Sequence, residues 1–486
     1  MAVIDTYGFY AGTIPVRITI ESSPNEFILI YKVSISQIGS NTEVILDKIR
    51  EELVEKVRLD VGDITDPKKL EYVRDKFQKT IVSLIRKYFP DITGETLEFF
   101  TTYLMHKSFG LGKIELLMGD LSLEEIVINN AEEPIWVYHH KYGWLKTNIL
   151  LKNEEIIKHY SSLIGRKVGR SITLLTPLLD ASLETGDRVN ATLFPVSTKG
   201  NTITIRKFAT EPITITKFLQ NRSLSLPAAA LIWLGVEYEF STIISGGTAT
   251  GKTSMLNALG GFFPPNQRII SVEDTREIVL AKYLHWVPMV TRSPNIEGKG
   301  GITMLDLIVN TLRMRPDRIV VGEIRRKQEA ETLFEAMHTG HSVYSTIHAN
   351  NAEETVNRLT NPPIEVPKAL LPAIGMILVM YRNRRTGIRR VFQLAEITGT
   401  SEANILMQYD FTKDNILSAN ESVKFMPNLE MQTGMTMNEI NNNLKDKIEV
   451  LKWLVKNNVI NVNDIGKAIA TYYTNKEGLM NFITKN

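Results

Sequence analysis

Apolar and polar residues alternate along positions 1–40, as in Val16-Arg17-Ile18-Thr19-Ile20 and again over Phe27–Val33, which predicts short strands or extended segments. From Thr42 to about Tyr88 the period lengthens. Val44, Ile45, Ile49, Leu53 and Val57 recur at helical spacing, and Leu70, Val73, Phe77, Ile81 and Leu84 repeat the pattern. A third helix is expected over Asp91–Phe109, with Gly110–Gly112 breaking the chain after it. Strand character returns in Glu125–Asn129, Ile135–Tyr138 and Thr202–Arg206, with turns at Tyr142-Gly143 and Lys199-Gly200-Asn201 and a helix over Glu154–Gly165.

From Leu226 onward the rhythm is strand, glycine loop, helix, strand, helix, strand. That order predicts βαβ units and a mainly parallel sheet. Thr436-Met437-Asn438-Glu439 reads as a capping box opening a helix with Ile440, Leu444, Ile448, Leu451 and Val455 on one face. A shorter helix follows over Asn463–Tyr473. These breaks divide the chain into N-terminal strands and helices (1–110), an α+β part (111–208), a linker (209–225) and an α/β domain with C-terminal helices (226–486). No internal repeat or low-complexity tract interrupts the pattern.

Composition narrows the function. With 43% hydrophobic and 23% charged residues the chain is globular, and 56 Lys+Arg against 54 Asp+Glu leave +2, a balance that does not suggest a protein built around nucleic-acid phosphates. Zero cysteines exclude disulfides, thiol catalysis and thiolate-held zinc, and fit a cytosolic protein. The N-terminus lacks the basic-then-apolar pattern of a secretory leader. The longest uncharged apolar run, Ala369–Met380, is shorter than the roughly 20 residues a membrane span needs. The expectation is a soluble chain that meets a membrane through a partner or a surface patch.

Ser241–Ser245 runs into Gly246-Gly247-Thr248-Ala249-Thr250-Gly251-Lys252-Thr253-Ser254, the phosphate-loop pattern between a strand and a helix. Gly246 and Gly251 let backbone N–H groups turn inward, and the positive end of the following helix adds to their field. Lys252 is suited to the β- and γ-phosphates and the Thr253 hydroxyl to Mg²⁺. The flanking strand and helix argue against a glycine-rich turn that spells the motif by chance.

A phosphate loop also needs an acidic residue for metal and water. One strand, Arg268–Val272, leads to Glu273-Asp274, and another, Arg318–Val321, leads through Gly322 to Glu323. Open α/β sheets bind ligands at the carboxyl ends of their strands, so both acids are candidates. A solvated charge cluster is the alternative for either one alone. The only Asn-Lys pair, Asn475-Lys476, fails the guanine-box pattern of GTPases, and Ser245-Gly246-Gly247 lies inside the phosphate loop rather than forming a separate ABC signature.

Together, the phosphate loop, the acidic box Val272–Glu277, the atypical Walker B strand Ile319–Arg325 with glycine where Asp is usual, and the His box Gly340–Asn350 resemble the type II/type IV secretion ATPase superfamily. Tyr138–Asn148, Gly186–Thr192 and Thr204–Phe208 are similar to its archaeal branch, which drives archaella and type IV pili. The resemblance is strong over residues 90–400 and weak at the termini.

The resemblance implies an α/β fold: a RecA-like C-terminal domain plus an α+β N-terminal domain with a helical subdomain, assembled as a homo-hexameric ring. It implies ATP and Mg²⁺ as ligands. Lys252 and Thr253 would hold phosphate and metal, Glu273 and Glu323 would share water activation and metal positioning, and His348 would sense the γ-phosphate. Arg188 and Arg206 match N-terminal-domain positions that approach nucleotide, where a guanidinium can match charge developing on the γ-phosphate. Arg276 and Arg292 are further candidates, and Asp274 is either a working member of the acidic box or a helix N-cap or turn residue. The expected function is cytoplasmic, peripherally associated with the membrane. It is ATP-driven assembly or rotation of a pilus-like filament through an integral-membrane platform protein, acting on filament subunits indirectly, with a lean to pilus assembly. The alternatives are a DNA-translocating relative and a nucleotide-gated scaffold of low turnover.

Other patterns are weighed separately. His338, His341 and His348 do not read as a metal cluster, since no carboxylate stands at ligand spacing. Arg382, Arg384, Arg385, Arg389 and Arg390 surround Thr386-Gly387 and read as a basic hairpin, either a solvated turn or a docking surface for acidic loops or anionic lipid. Met426, Met431, Met435 and Met437 read as gap-filling core or loop residues rather than as a binding groove.

Overall fold

The computed structural model describes the chain apart from residues 1, 25, 36–38, 58–69, 184, 209–211, 295–297 and 486. The expected helical stretch Thr42–Tyr88 and the expected linker both run partly outside the described residues. The chain divides into two compact units, Met1–Ala209 and Thr210–Asn486.

In the first unit the described residues form nine strands: β1 (Ala2–Ala11), β2 (Ile14–Ser22), β3 (Ile30–Ile35), β4 (Leu123–Ile128), β5 (Trp136–His139), β6 (Gly143–Thr147), β7 (Leu178–Ser182), β8 (Arg188–Thr192) and β9 (Thr202–Arg206). They make one sheet in the order β1-β2-β3-β6-β5-β4-β9-β8-β7. The pairings are antiparallel except β3 with β6. On β2 the alternation does what the pattern predicts: Val16, Ile18 and Ile20 are buried while Arg17 faces solvent. Helices Ser40–Lys56, Leu70–Tyr88 and Gly94–Phe109 contribute Leu46, Ile49, Ile81, Leu84, Phe99 and Leu104 to the same core as Ile18, Val189 and Ile203. At the outer edge, the register of β1 on β2 shifts between Val3 and Asp5, which is a β-bulge.

The second unit holds β10 (Thr242–Gly246), β11 (Arg268–Glu273), β12 (His285–Val290), β13 (Arg318–Val321), β14 (Ser342–Ile347), β15 (Met376–Arg382), β16 (Arg389–Ile397), β17 (Ala403–Asp410) and β18 (Asn415–Ser418). The order is β12-β11-β13-β14-β10-β15-β16-β17-β18, parallel up to β15 and antiparallel beyond it. Strands β10, β13 and β14 are buried along their whole length, as expected of a sheet covered on both faces.

Side-chain alternation divides this apolar material between two cores. Ile244, Val320, Tyr344 and Leu378 join Trp233, Met255, Leu451 and Ile469 on one side. Their neighbours Ile243, Ile319, Val343 and Ile377 join Ile308, Leu333 and Leu359 on the other. Helices Leu226–Glu237, Lys252–Gly260, Met437–Lys456 and Val462–Thr474 therefore cover one face, and Met304–Leu312, Lys327–His338 and Ala352–Thr360 the other. The result is an α/β, RecA-like arrangement.

Three features go beyond the sequence reading without contradicting it. The described part of the expected linker contains a helix, Ile215–Gln220, whose Ile215 and Phe218 are buried in the first of these cores; their spacing is helical, which the alternating Thr/Ile pattern conceals. The antiparallel strands β16–β18 extend a sheet expected to be mainly parallel. A further helix, Lys476–Lys485, follows the predicted C-terminal pair.

Candidate active site

The phosphate loop joins the central strand β10 to helix Lys252–Gly260. Gly246, Ala249 and Gly251 all have positive φ, at 155°, 59° and 97°. A Cβ at Gly246 would lie 2.5 Å from Thr250 Oγ1 and 2.7 Å from Met380 O, so glycine is required there. A Cβ at Gly247 would meet Asn350 Oδ1 at 3.2 Å. Thr250 Oγ1 donates to Gly247 O at 2.9 Å, which ties the loop across its own neck. Thr248 and Ala249 form the exposed tip, and Thr253 and Ser254 are half-buried in the first helical turn.

Lys252 folds back over this loop. Its Nζ donates to Gly246 O and Gly247 O, each at 3.0 Å, and lies 3.4 Å from His348 Nδ1. Burial holds its pKa below the ordinary lysine value. His348 directly follows β14, and the sheet order puts β14 between β10 and β13. This explains why the imidazole bridges the ends of those two strands. Its Nε2 lies 3.3 Å from Glu323 Oε1.

Glu323 follows β13 and is held from its other side. Arg325 donates to Glu323 Oε2 from Nε at 2.9 Å and Nη2 at 2.7 Å, and from Nη1 to Asp274 Oδ2 at 2.5 Å. Asp274 thus serves a partner from another strand end rather than a helix cap, and Thr291 Oγ1 donates to its Oδ1 at 3.3 Å. Glu273 ends β11 with only 2% of its surface exposed. Its Oε1 accepts from Glu277 N at 2.8 Å and Ile278 N at 3.0 Å, while Oε2 is buried with no hydrogen bond among the described residues. Burial pushes this carboxyl up to about 7.

The structure thus gathers Lys252, His348, Glu323 and Glu273 at the carboxyl ends of adjacent strands. Arg188 and Arg206 belong to the other unit, where they stand opposite each other in the β8–β9 register. Arg188 donates to both oxygens of Asp180, from Nε at 3.2 Å and Nη2 at 2.9 Å. Of the further candidates, Arg276 stacks over Trp286, its guanidinium carbon 5.4 Å from the ring centroid, and Arg292 Nε donates to Gly300 O at 2.7 Å. Sequence reasoning did not assign a role to Arg325, although it stands two residues after Glu323 in the same motif.

These residues fit a nucleoside triphosphate with a divalent cation. The loop's glycine-lined cradle leaves room where a Cβ would clash. The orphaned Oε2 of Glu273 and the carboxylate of Glu323 offer hard oxygen donors. Among the described residues no group of three or more His, Asp or Glu side chains is arranged to hold a metal ion. Mg²⁺ usually keeps phosphate oxygens and water among its ligands and takes only one or two carboxylates.

Comparison with known proteins agrees with the motif order. The family described as Type II/IV secretion system protein matches residues 182–379, a span that includes Arg188, the phosphate loop, both glutamates and His348. An uncharacterized protein of Methanocaldococcus jannaschii is 38% identical over 311 residues, which are 63% of this chain and 56% of that protein. The chain spans 32% of a second protein of that archaeon. A putative conjugal transfer protein of Mycobacterium tuberculosis is 30% identical over 301 residues, 59% of this chain and 84% of that protein. The X-ray structure of the Legionella pneumophila ATPase DotB is 20% identical, covers 73% of this chain and 94% of that one, and has a TM-score of 0.43. Given the family match across the site and the 84% coverage of the conjugal transfer relative, the chain belongs to the type II/IV secretion system protein family.

Proposed function

We propose that the chain is a Mg²⁺-dependent ATPase that works as a subunit of a homo-hexameric ring. The observation that best supports the ATPase reading is the unbroken run of contacts Lys252–His348–Glu323–Arg325–Asp274, which links the phosphate loop to the acidic strand ends. Bound Mg²⁺ would supply charge neutralisation along the phosphates, with Thr253, Glu273 and Glu323 as its protein-side partners. Lys252 leaves the loop carbonyls for the β/γ-phosphates. Glu273 and Glu323 share the activation of water and the positioning of the metal. His348 would sense the γ-phosphate, and Arg188 and Arg206 would match the charge that develops on it.

The ring would lie on the cytoplasmic side of a membrane. It would pass domain movement to an integral-membrane platform protein that assembles or rotates a pilus-like filament, with pilus assembly the preferred case. A DNA-translocating ATPase is the second reading, favoured by the conjugal transfer relative. Phosphate release by the purified protein tests the first reading. Lys252→Ala should abolish binding and turnover together, and Glu323→Gln should keep ATP bound while turnover collapses. Stimulation by duplex DNA, reduced by salt, would favour the second.

A further inference from the structure

The arginine hairpin supplies a contact to the phosphate loop that the motif set does not include. β15 runs parallel to β10, pairing Met380 with Gly246, and turns back into β16 with Arg382 opposite Arg389. Arg389 is therefore the first residue of a strand that starts beside the mouth of the loop and leads away from it. Its Nε donates to Ala249 O at 3.1 Å, and its Cδ would lie 3.7 Å from a Cβ built on Gly251.

Its main chain is fixed independently of this contact. Arg389 O accepts from Ser223 Oγ at 2.9 Å and from Arg390 Nη1 at 3.0 Å, and Val391 N donates to Ser223 O at 2.7 Å. Arg390 points the opposite way, as alternation along a strand requires, and pairs with both oxygens of Asp414 at 2.9 and 3.1 Å. One arginine anchors the strand and the next reaches the loop.

The acceptor matters as much as the donor. Ala249 holds a left-handed φ of 59°, which an alanine adopts only at some cost in energy, and in this conformation its carbonyl faces Arg389. Lys252 caps the carbonyls of Gly246 and Gly247. Three carbonyls of the loop are thus turned onto cations, and Arg389 can keep its hold on Ala249 O when Lys252 turns to the phosphates. Among the described residues the Arg389 guanidinium makes this one hydrogen bond, so both Nη groups remain available as donors.

We propose that Arg389 is a nucleotide-positioning residue: Nε fixes the phosphate loop through Ala249 O, and the Nη groups donate to the bound nucleotide. The proposal rests on the reading of this site as an ATP site. Its test is calorimetric titration of the full chain with Mg²⁺ and ATP. Arg389→Ala should raise Kd about tenfold or more, the loss expected for a charged hydrogen bond. Added guanidinium ion should restore much of that affinity, a recovery that a purely structural role would not give. Arg389→Lys should recover only part, since an ammonium lacks the planar fork. Arg384→Ala, in the exposed turn of the same hairpin, should bind as the parent does, which separates position from net charge. Parental Kd in Arg389→Ala, or an equal loss in Arg384→Ala, would overturn the proposal. Failure of the parent to bind ATP would overturn the ATP reading and this inference with it.

Discussion

His348 Nε2 lies 3.3 Å from Glu323 Oε1, and the opposite ring nitrogen lies 3.4 Å from Lys252 Nζ. An ammonium has only protons to give, so Nδ1 is the acceptor and Nε2 carries the proton toward the carboxylate. The ring must be neutral to do both. Burial, followed by the charge of Lys252, holds its pKa below the ordinary histidine value.

Acidification should undo this arrangement. Because the folded-state pKa is depressed, the contribution is complete above the unfolded value of about 6.5 and is lost as pH falls toward the folded pKa. Thermal melts without nucleotide should show the parent losing more stability between pH 7.5 and 5.5 than His348→Gln does. Equal losses would mean that the ring titrates freely.

Glu273 should behave in the opposite sense. Its carboxyl is raised from 4.5 to about 7, so its contribution is complete below 4.5 and is lost as pH rises through 7. Glu273→Gln, neutral at every pH, should therefore melt above the parent at pH 8, by about 3 kcal/mol at most. Equal melting of the two at pH 8 would mean that burial does not favour the neutral carboxyl.

Arg188 pairs with Asp180 and faces Arg206 across the sheet, a like-charge opposition that Asp180 offsets. If the guanidinium completes a nucleotide site, Arg188→Ala should lower kcat about 10³-fold or more with little change in ATP affinity. Mixing it with Lys252→Ala subunits should restore some activity when the arginine serves a neighbour's site. Parental kcat in Arg188→Ala would exclude the role.

Lys447 is fully buried, with Nζ 2.5 Å from Glu237 Oε2 and 4.8 Å from the centroid of the Tyr472 ring. Lys447→Ala leaves a carboxylate beneath the C-terminal helices without its partner and should cost about 3–5 kcal/mol in urea unfolding. Replacing both members of the pair with apolar side chains, Lys447→Met together with Glu237→Leu, should cost much less. Equal costs would show that packing, not charge, holds the helix Met437–Lys456.

The site was legible because its elements are local. A glycine loop between a strand and a helix, and acids directly after apolar strands, need no knowledge of the fold. What the sequence could not give was adjacency. That β14 separates β10 from β13 places His348 between Lys252 and Glu323, and this depends on strand order rather than on spacing along the chain. Arg325 and Arg389 were hidden for the same reason: each acts on a residue distant in sequence, Asp274 and Ala249. The helix Ile215–Gln220 escaped because a short run of Thr and Ile carries both periods, and only burial of Ile215 and Phe218 decides between them.

The bulge between Val3 and Asp5 has a consequence for solubility. β1 is an edge strand of ten residues, long enough to template another chain's backbone. The register shift divides its ladder into a short outer piece and the stretch Asp5–Ala11, so an added strand cannot follow the whole edge in a single register. Breaks of this kind at an edge are one way in which sheets resist open-ended stacking.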